Sequence, residues 1–275
     1  ASSRSTNPLR CLLLEVRAAA EVGLKTYFRY AAWLITDIVT TPAWLLLFVV
    51  PVLLFLPRDQ WGDPLTLNFF FWGFILWDVV SAGLWSFGMV IRREQQMGTL
   101  EFLMLTNANR AILFTRNLYA RLLSLSLSVA YVYAFFRALF GVDVLFLNPA
   151  GVVASLLAGI LAAMGFGLVY GALVFEFKNV GPLNNVLQFV LLGLSGVFYR
   201  VTALPGPLRV AALTLPFTYV SDLLRHYAMG LEALMDPLLE WIVLLAYTAG
   251  LLAAGVALIS KVEERLRRTG GLGKY

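Results

Sequence analysis

Few residues in this 275-residue chain have the type or spacing to do chemistry. With a single histidine, His226, and a single cysteine, Cys11, a metal cluster built on those ligands and an intrachain disulfide are both excluded. No G-x-x-x-x-G-K-[ST] run is present to cradle a nucleotide's phosphates, and no H-E-x-x-H pair to hold zinc. Gly193-Leu194-Ser195-Gly196-Val197 begins like a nucleophile elbow, but Val197 stands where the second glycine belongs. No catalytic residue, metal set or cofactor site is therefore expected in the chain itself. The notable group is Asp78, an acid in the middle of a long apolar stretch. If that stretch crosses a membrane, the carboxylate costs roughly 2.5–3.5 kcal/mol at the bilayer centre and must face protein or water. Helical spacing sets Asp78 on one stripe with Phe74, Ser81 and Trp85. That stripe has two readings: a contact along a path for cargo, or a hydrogen bond to a neighbouring helix. Asp37, nearer the end of an earlier apolar stretch, reads as an interfacial or structural group.

The elements that would position these residues follow from composition. Hydrophobic residues make up 60% of the chain and charged ones 13%, against about 45–50% and about 25% in a soluble domain. The bilayer must be the solvent for most side chains, and the expected fold is an all-α integral membrane bundle. Six stretches are long enough to span: 31–56, 65–91, 118–140, 149–175, 182–200 and 238–260. Within residues 1–30, Leu9, Leu12, Leu13, Val16, Ala20, Leu24 and Tyr27 line one helical face, while Arg10, Arg17, Glu21 and Lys25 take the other. That predicts an amphipathic helix lying in the membrane interface. No cleavable signal is expected. The region 31–260 then forms one six-span domain, and 261–275 a charged tail.

Between the fifth and sixth spans, residues 201–237 are cut by Pro205 and Pro216 into pieces too short to cross, and Asp222 and Arg225 oppose a further crossing. Two short re-entrant helices in the outer leaflet are expected there. In the fourth span Ser155, Gly159, Ala163, Gly167 and Gly171 recur every fourth residue, which lets another helix approach closely. Orientation follows from the basic residues: sixteen of the 21 Lys and Arg fall on the side of residues 92–117, 176–181 and both termini, and five on the other. Both ends are expected in the cytoplasm of a multi-pass protein of the cell (inner) membrane. The positive charge meets anionic lipid headgroups rather than nucleic acid.

The cytoplasmic loop after the second span carries the densest pattern, Arg93-Glu94 followed by Gly98-Thr99-Leu100-Glu101-Phe102-Leu103-Met104. Gly98 breaks the preceding helix, Thr99 can cap a new one, and Leu100, Leu103 and Met104 form its apolar ridge. From the residues alone, a helix over about 94–106 either docks in a groove of a partner or rests on headgroups. Glu176 and Lys178, in the short loop after the fourth span, are partner contacts or ordinary loop charges.

The run Arg-Glu-x-x-x-Gly-Thr-Leu-Glu resembles the hallmark of type-2 ABC exporter permeases, the daunorubicin/multidrug-type half-transporters. Ser195-Gly196-Val197-Phe198-Tyr199 with Ala203-Leu204-Pro205, and Leu215-Pro216-Phe217-Thr218-Tyr219-Val220 with Asp222 and Arg225, are similar to that family's outer region. Phe217 departs from the smaller aliphatic residue common there. The resemblance covers nearly the whole chain. It implies that Glu94, Gly98, Thr99, Leu100, Glu101, Leu103 and Met104 form a coupling helix docking on a separate ABC ATPase subunit, present in two copies and holding ATP and magnesium. It also implies a homodimer of permeases that exports a hydrophobic or amphipathic, drug-like compound. A lipid or lipid-linked glycan is the alternative cargo, and an ion-coupled secondary transporter is the reading from another class.

Overall fold

The computed structural model describes residues 61–89, 110–174 and 180–269, together with Phe177 and isolated positions between 17 and 58. The expected interfacial helix and first span are represented by those isolated positions alone. The segment 92–106, Asp37, Glu176 and Lys178 lie outside the described residues.

The first continuous helix, α1 (Pro64–Ser81), starts where Asp63 accepts the Thr66 amide at 2.8 Å, with Pro64 already fixed in helical φ. It continues without a break into a π turn, Ala82–Phe87, closed by the Gly88 amide donating to the Gly83 carbonyl at 2.9 Å. α2 (Arg110–Phe140) stops at Gly141, whose φ of 66° is the left-handed region. α3 (Pro149–Leu173) is capped by Asn148. Four shorter or terminal elements follow: α4 (Gly181–Leu194), α5 (Gly206–Leu213), α6 (Pro216–Met229) and the long α7 (Pro237–Thr269). Among the described residues, Pro64–Phe87, Asn117–Phe140, Pro149–Leu173 and Pro237–Val262 are long and apolar enough to cross a membrane.

The expected fifth span, 182–200, is helical over its first part only. Its helix ends at Leu194 after 14 residues, about 21 Å of rise against about 30 Å of hydrocarbon. A turn over 195–200 takes the place of its last third, held by contacts described below.

α3 lies at the centre, and its small residues do the work their spacing predicts. Ser155, Gly159, Ala163, Gly167 and Gly171 are all buried. A Cβ on Gly167 would stand 2.4 Å from the Gly83 carbonyl, and one on Gly171 2.7 Å from that of Gly88. The seam therefore seats the π turn backbone to backbone. On its other side Gly165 faces Leu251 of α7, and Gly255 of α7 faces Leu168. Two short helices do occupy the region between Pro205 and Pro237, with Pro205 just before α5 and Pro216 at the first position of α6. α6 is packed into the bundle: Phe217, Val220, Leu223 and Leu224 are buried, and Phe217 meets Phe166 of α3 edge-on at 5.7 Å. Asn68 of α1 pins the extended stretch after α2, donating to the Asp143 carbonyl and accepting the Leu145 amide.

Candidate functional site

The sequence runs 195–199 and 215–225, separate along the chain, meet in space. Arg225 of α6 is 4% exposed. Its guanidinium donates to the carbonyls of Gly196 at 2.5 Å, Tyr199 at 3.4 Å and Val197, and its Cζ lies 3.9 Å from the centroid of the Phe69 ring in α1. Ser221, one turn earlier, donates to the Ser195 carbonyl at 2.7 Å. Four carbonyls left open where α4 ends are thus taken by two side chains of α6. The turn fits because Gly196 adopts φ 66° and because Gly73 of α1 has no side chain, since a Cβ there would be 2.8 Å from Phe198 and from the Val197 carbonyl. Burial works against the Arg225 charge, and Asp222 supports it from a distance. Carbonyl dipoles and an aromatic face supply the close compensation.

Asp222 accepts the Leu234 amide at 2.6 Å and so ties α6 to the loop before α7. Burial pushes its carboxyl up, opposed by that amide and by Arg200, Arg225 and His226. His226 meets the Leu231 carbonyl at 2.8 Å and closes the same loop.

The stripe Phe74, Asp78, Ser81 and Trp85 is divided between neighbours. Phe74 is buried against Trp77 and Phe198. Asp78 forms an ion pair with Arg121 of α2, which also donates to the Asp78 backbone carbonyl at 2.6 Å. Ser81 and Trp85 face α4, where Gln188 accepts the Trp85 indole N–H at 2.6 Å and donates to Ser81 Oγ at 2.9 Å. Arg121 falls by sequence near the basic end of the third span, and the opposite charge of Asp78 in the adjacent span was the available signal. Gln188 and Glu240 were also missed. Glu240 is fully buried at the start of α7, and its carboxyl oxygens meet no hydrogen-bond donor among the described residues. Those residues hold no group of three or more His, Cys, Asp or Glu placed to bind a metal.

The ion pair makes a testable expectation. Asp78→Asn keeps an acceptor for Arg121 and should cost about 1 kcal/mol, whereas Asp78→Leu strands the guanidinium and should cost about 2–3 kcal/mol. In an Arg121→Met background the Asp78→Leu penalty should shrink, which a double-mutant cycle of detergent unfolding reads directly. An unchanged penalty in that background rules out the pair as the cause.

Apolar helices long enough to cross a membrane, close glycine seams and a buried arginine holding backbone define a helical membrane domain. Comparison with known proteins sharpens this. The family model for the ABC-2 type transporter membrane domain matches residues 16–229; the chain belongs to that family. It is 31% identical over 121 residues to the capsule polysaccharide export inner-membrane protein CtrC of Neisseria meningitidis serogroup A, covering 42% of this chain and 44% of that one. It is 35% identical over 85 residues to the capsule polysaccharide export inner-membrane protein BexB of Haemophilus influenzae, covering 30% and 32%. The chain thus matches less than half the length of these curated relatives.

Proposed function

We propose that this chain is the membrane permease of an ATP-driven exporter whose cargo is a glycan or glycan-bearing lipid. The observation that carries the cargo reading is the similarity to two proteins named for capsule polysaccharide export. It favours the glycan alternative over the drug-like compound suggested by the multidrug-type motifs. Of the aromatic second span, Phe70, Phe71, Trp72 and Phe74 are buried in the core, while Trp85 is exposed and suits stacking on a sugar ring as well as contact with lipid. In this reading the segment 94–106 docks on a separate ABC ATPase, two permeases and two ATPases assemble, and both termini face the cytoplasm. The first span and α4 complete six passes, α4 with the help of the turn at 195–200. α5 and α6 lie in the outer leaflet. Asp78, Ser81 and Trp85 border the path for cargo, and no covalent change is made to it.

The coupling assignment is tested with Gly98→Pro, Glu101→Lys. Proline in place of the Gly98 break and reversal of the Glu101 charge should abolish copurification of the ATPase or leave hydrolysis uncoupled from export, with normal membrane insertion. Wild-type copurification and coupling in that double variant would sink it. Cell-surface polysaccharide and resistance to amphipathic drugs, measured on deletion of the gene, separate the two cargo readings: loss of polysaccharide alone is the expected result.

A further inference from the structure

The part of α1 nearest to the coupling segment is also where the helix is least regular, and its neighbours hold it there from three sides. The π turn Ala82–Phe87 carries more residues per turn than the α-helix it interrupts, a register that such turns can shed. From α2, Arg121 grips the Asp78 carbonyl just before the turn, and Asn117 donates to the Ser86 carbonyl within it at 3.3 Å. From α4, Gln188 bridges Ser81 and Trp85, one on each side of the point where the register changes. From α3 the turn and the glycine that closes it meet Ala163, Gly167 and Gly171, with the rings of Phe166 and Tyr170 beside Gly83 and Gly88. Three sides thus offer different constraints. The α3 seam sets backbone against backbone between the rings of Phe166 and Tyr170. The α2 contacts are to backbone carbonyls and to the carboxylate of Asp78, which precedes the turn. Only Gln188 reads two α1 side chains whose relative position depends on the register.

We propose that Ala82–Phe87 is the hinge of the permease and that Gln188 is the positioning residue that sets it. With the bridge made, α1 is held in its π register. When the coupling segment is displaced, the turn sheds one residue, the chain beyond it rotates by about 100°, and Ser81 and Trp85 no longer meet Gln188 together. α4 is suited to release its partner, because Leu183, Val186 and Val190 on its other face are exposed. The proposal rests on the reading of residues 94–106 as the ATPase contact.

The test uses the full permease with the ATPase that copurifies with it, in a Cys11→Ala background carrying Met89→Cys just beyond the turn. Maleimide labelling of that cysteine is timed without nucleotide and after trapping with ATP and vanadate. The wild-type bridge should give a change in labelling rate on trapping of roughly five- to thirty-fold, the population shift that one or two hydrogen bonds control. In Gln188→Leu the nucleotide-free rate should already stand near the trapped value, with ATPase copurification and thermal midpoint unchanged. Ser81→Ala, Trp85→Phe removes the bridge from the other helix and should reproduce this, while Gln188→Glu, which still accepts from Trp85, should restore part of the difference. Nucleotide-independent labelling in the wild type, or a Gln188→Leu variant that keeps the wild-type pair of rates, overturns the hinge. So does a fall in midpoint that tracks the labelling change, since that marks a merely structural residue. If no ATPase copurifies with the wild type, the coupling reading has failed instead.

Discussion

Replacing Arg225 by leucine should lower the stability of the folded chain by roughly 2–4 kcal/mol, because buried carbonyls then lose their donor. The carbonyls of Gly196 and Val197 sit in a turn whose Val197 is fully buried and whose Gly196 is already committed to φ 66°. They cannot swing to water or to an amide of α4, since that helix has ended. Removing the guanidinium recovers the cost of burying its charge, which is why the expected loss sits well below that of stranding a bare ion. Arg225→Lys should fall between, as an ammonium supplies a point charge without the planar fork that spans two carbonyls. Ser221→Ala, which frees one carbonyl, should cost about 1 kcal/mol. Thermal unfolding of the purified protein in detergent gives the order, and protease nicking near Tyr199 should rise with it. A leucine variant as stable as the parent would mean that the turn holds itself and that α6 only rests against it. If the ordering appears but ATPase copurification is untouched, the grip serves the folded turn alone.

Some of this architecture can be read from residue order because its cause is local. Asp63-Pro64 followed by Thr66 announces the start of α1, and the four-residue repeat from Ser155 to Gly171 announces a close seam before its partner is known. Causes that act at long range leave no such mark. The fifth span was overrun because Val197, Phe198 and Tyr199 are as apolar as the helix before them. Gly196 turns the chain at a φ of 66°, and what holds the turn is Arg225, distant in sequence. The π turn is equally silent, since Ala82-Gly83-Leu84-Trp85-Ser86-Phe87 has the composition of any span, and only the Gly83–Gly88 hydrogen bond reveals it. A stripe drawn with 3.6-residue spacing through Asp78, Ser81 and Trp85 misses that α2 takes the first and α4 the other two. The two outer motifs were visible as motifs, while their mutual contact required the fold. The cargo is hidden for a different reason: aromatic residues that stack on sugars, bind drugs or face lipid are the same residues.

Gly167→Ala should destabilise the bundle by about 1–3 kcal/mol, although alanine is the better helix former by up to about 1 kcal/mol. The added methyl would lie 2.4 Å from the Gly83 carbonyl oxygen and 2.5 Å from Phe87 Cβ. Neither atom is the end of a flexible side chain, so relief requires α1 and α3 to separate over the π turn. Separation there also loosens the neighbouring contact at Gly171, where a Cβ would lie 2.7 Å from the Gly88 carbonyl, so the pair Gly167→Ala, Gly171→Ala should cost less than the sum of the two single changes. Gly250 of α7 is the control, because a Cβ there meets nothing within 4 Å. Gly250→Ala should be neutral or stabilising by up to about 1 kcal/mol from helix propensity alone. Unfolding midpoints of the four variants decide the matter. If Gly167→Ala behaves like Gly250→Ala, the helices are not in backbone contact at this seam.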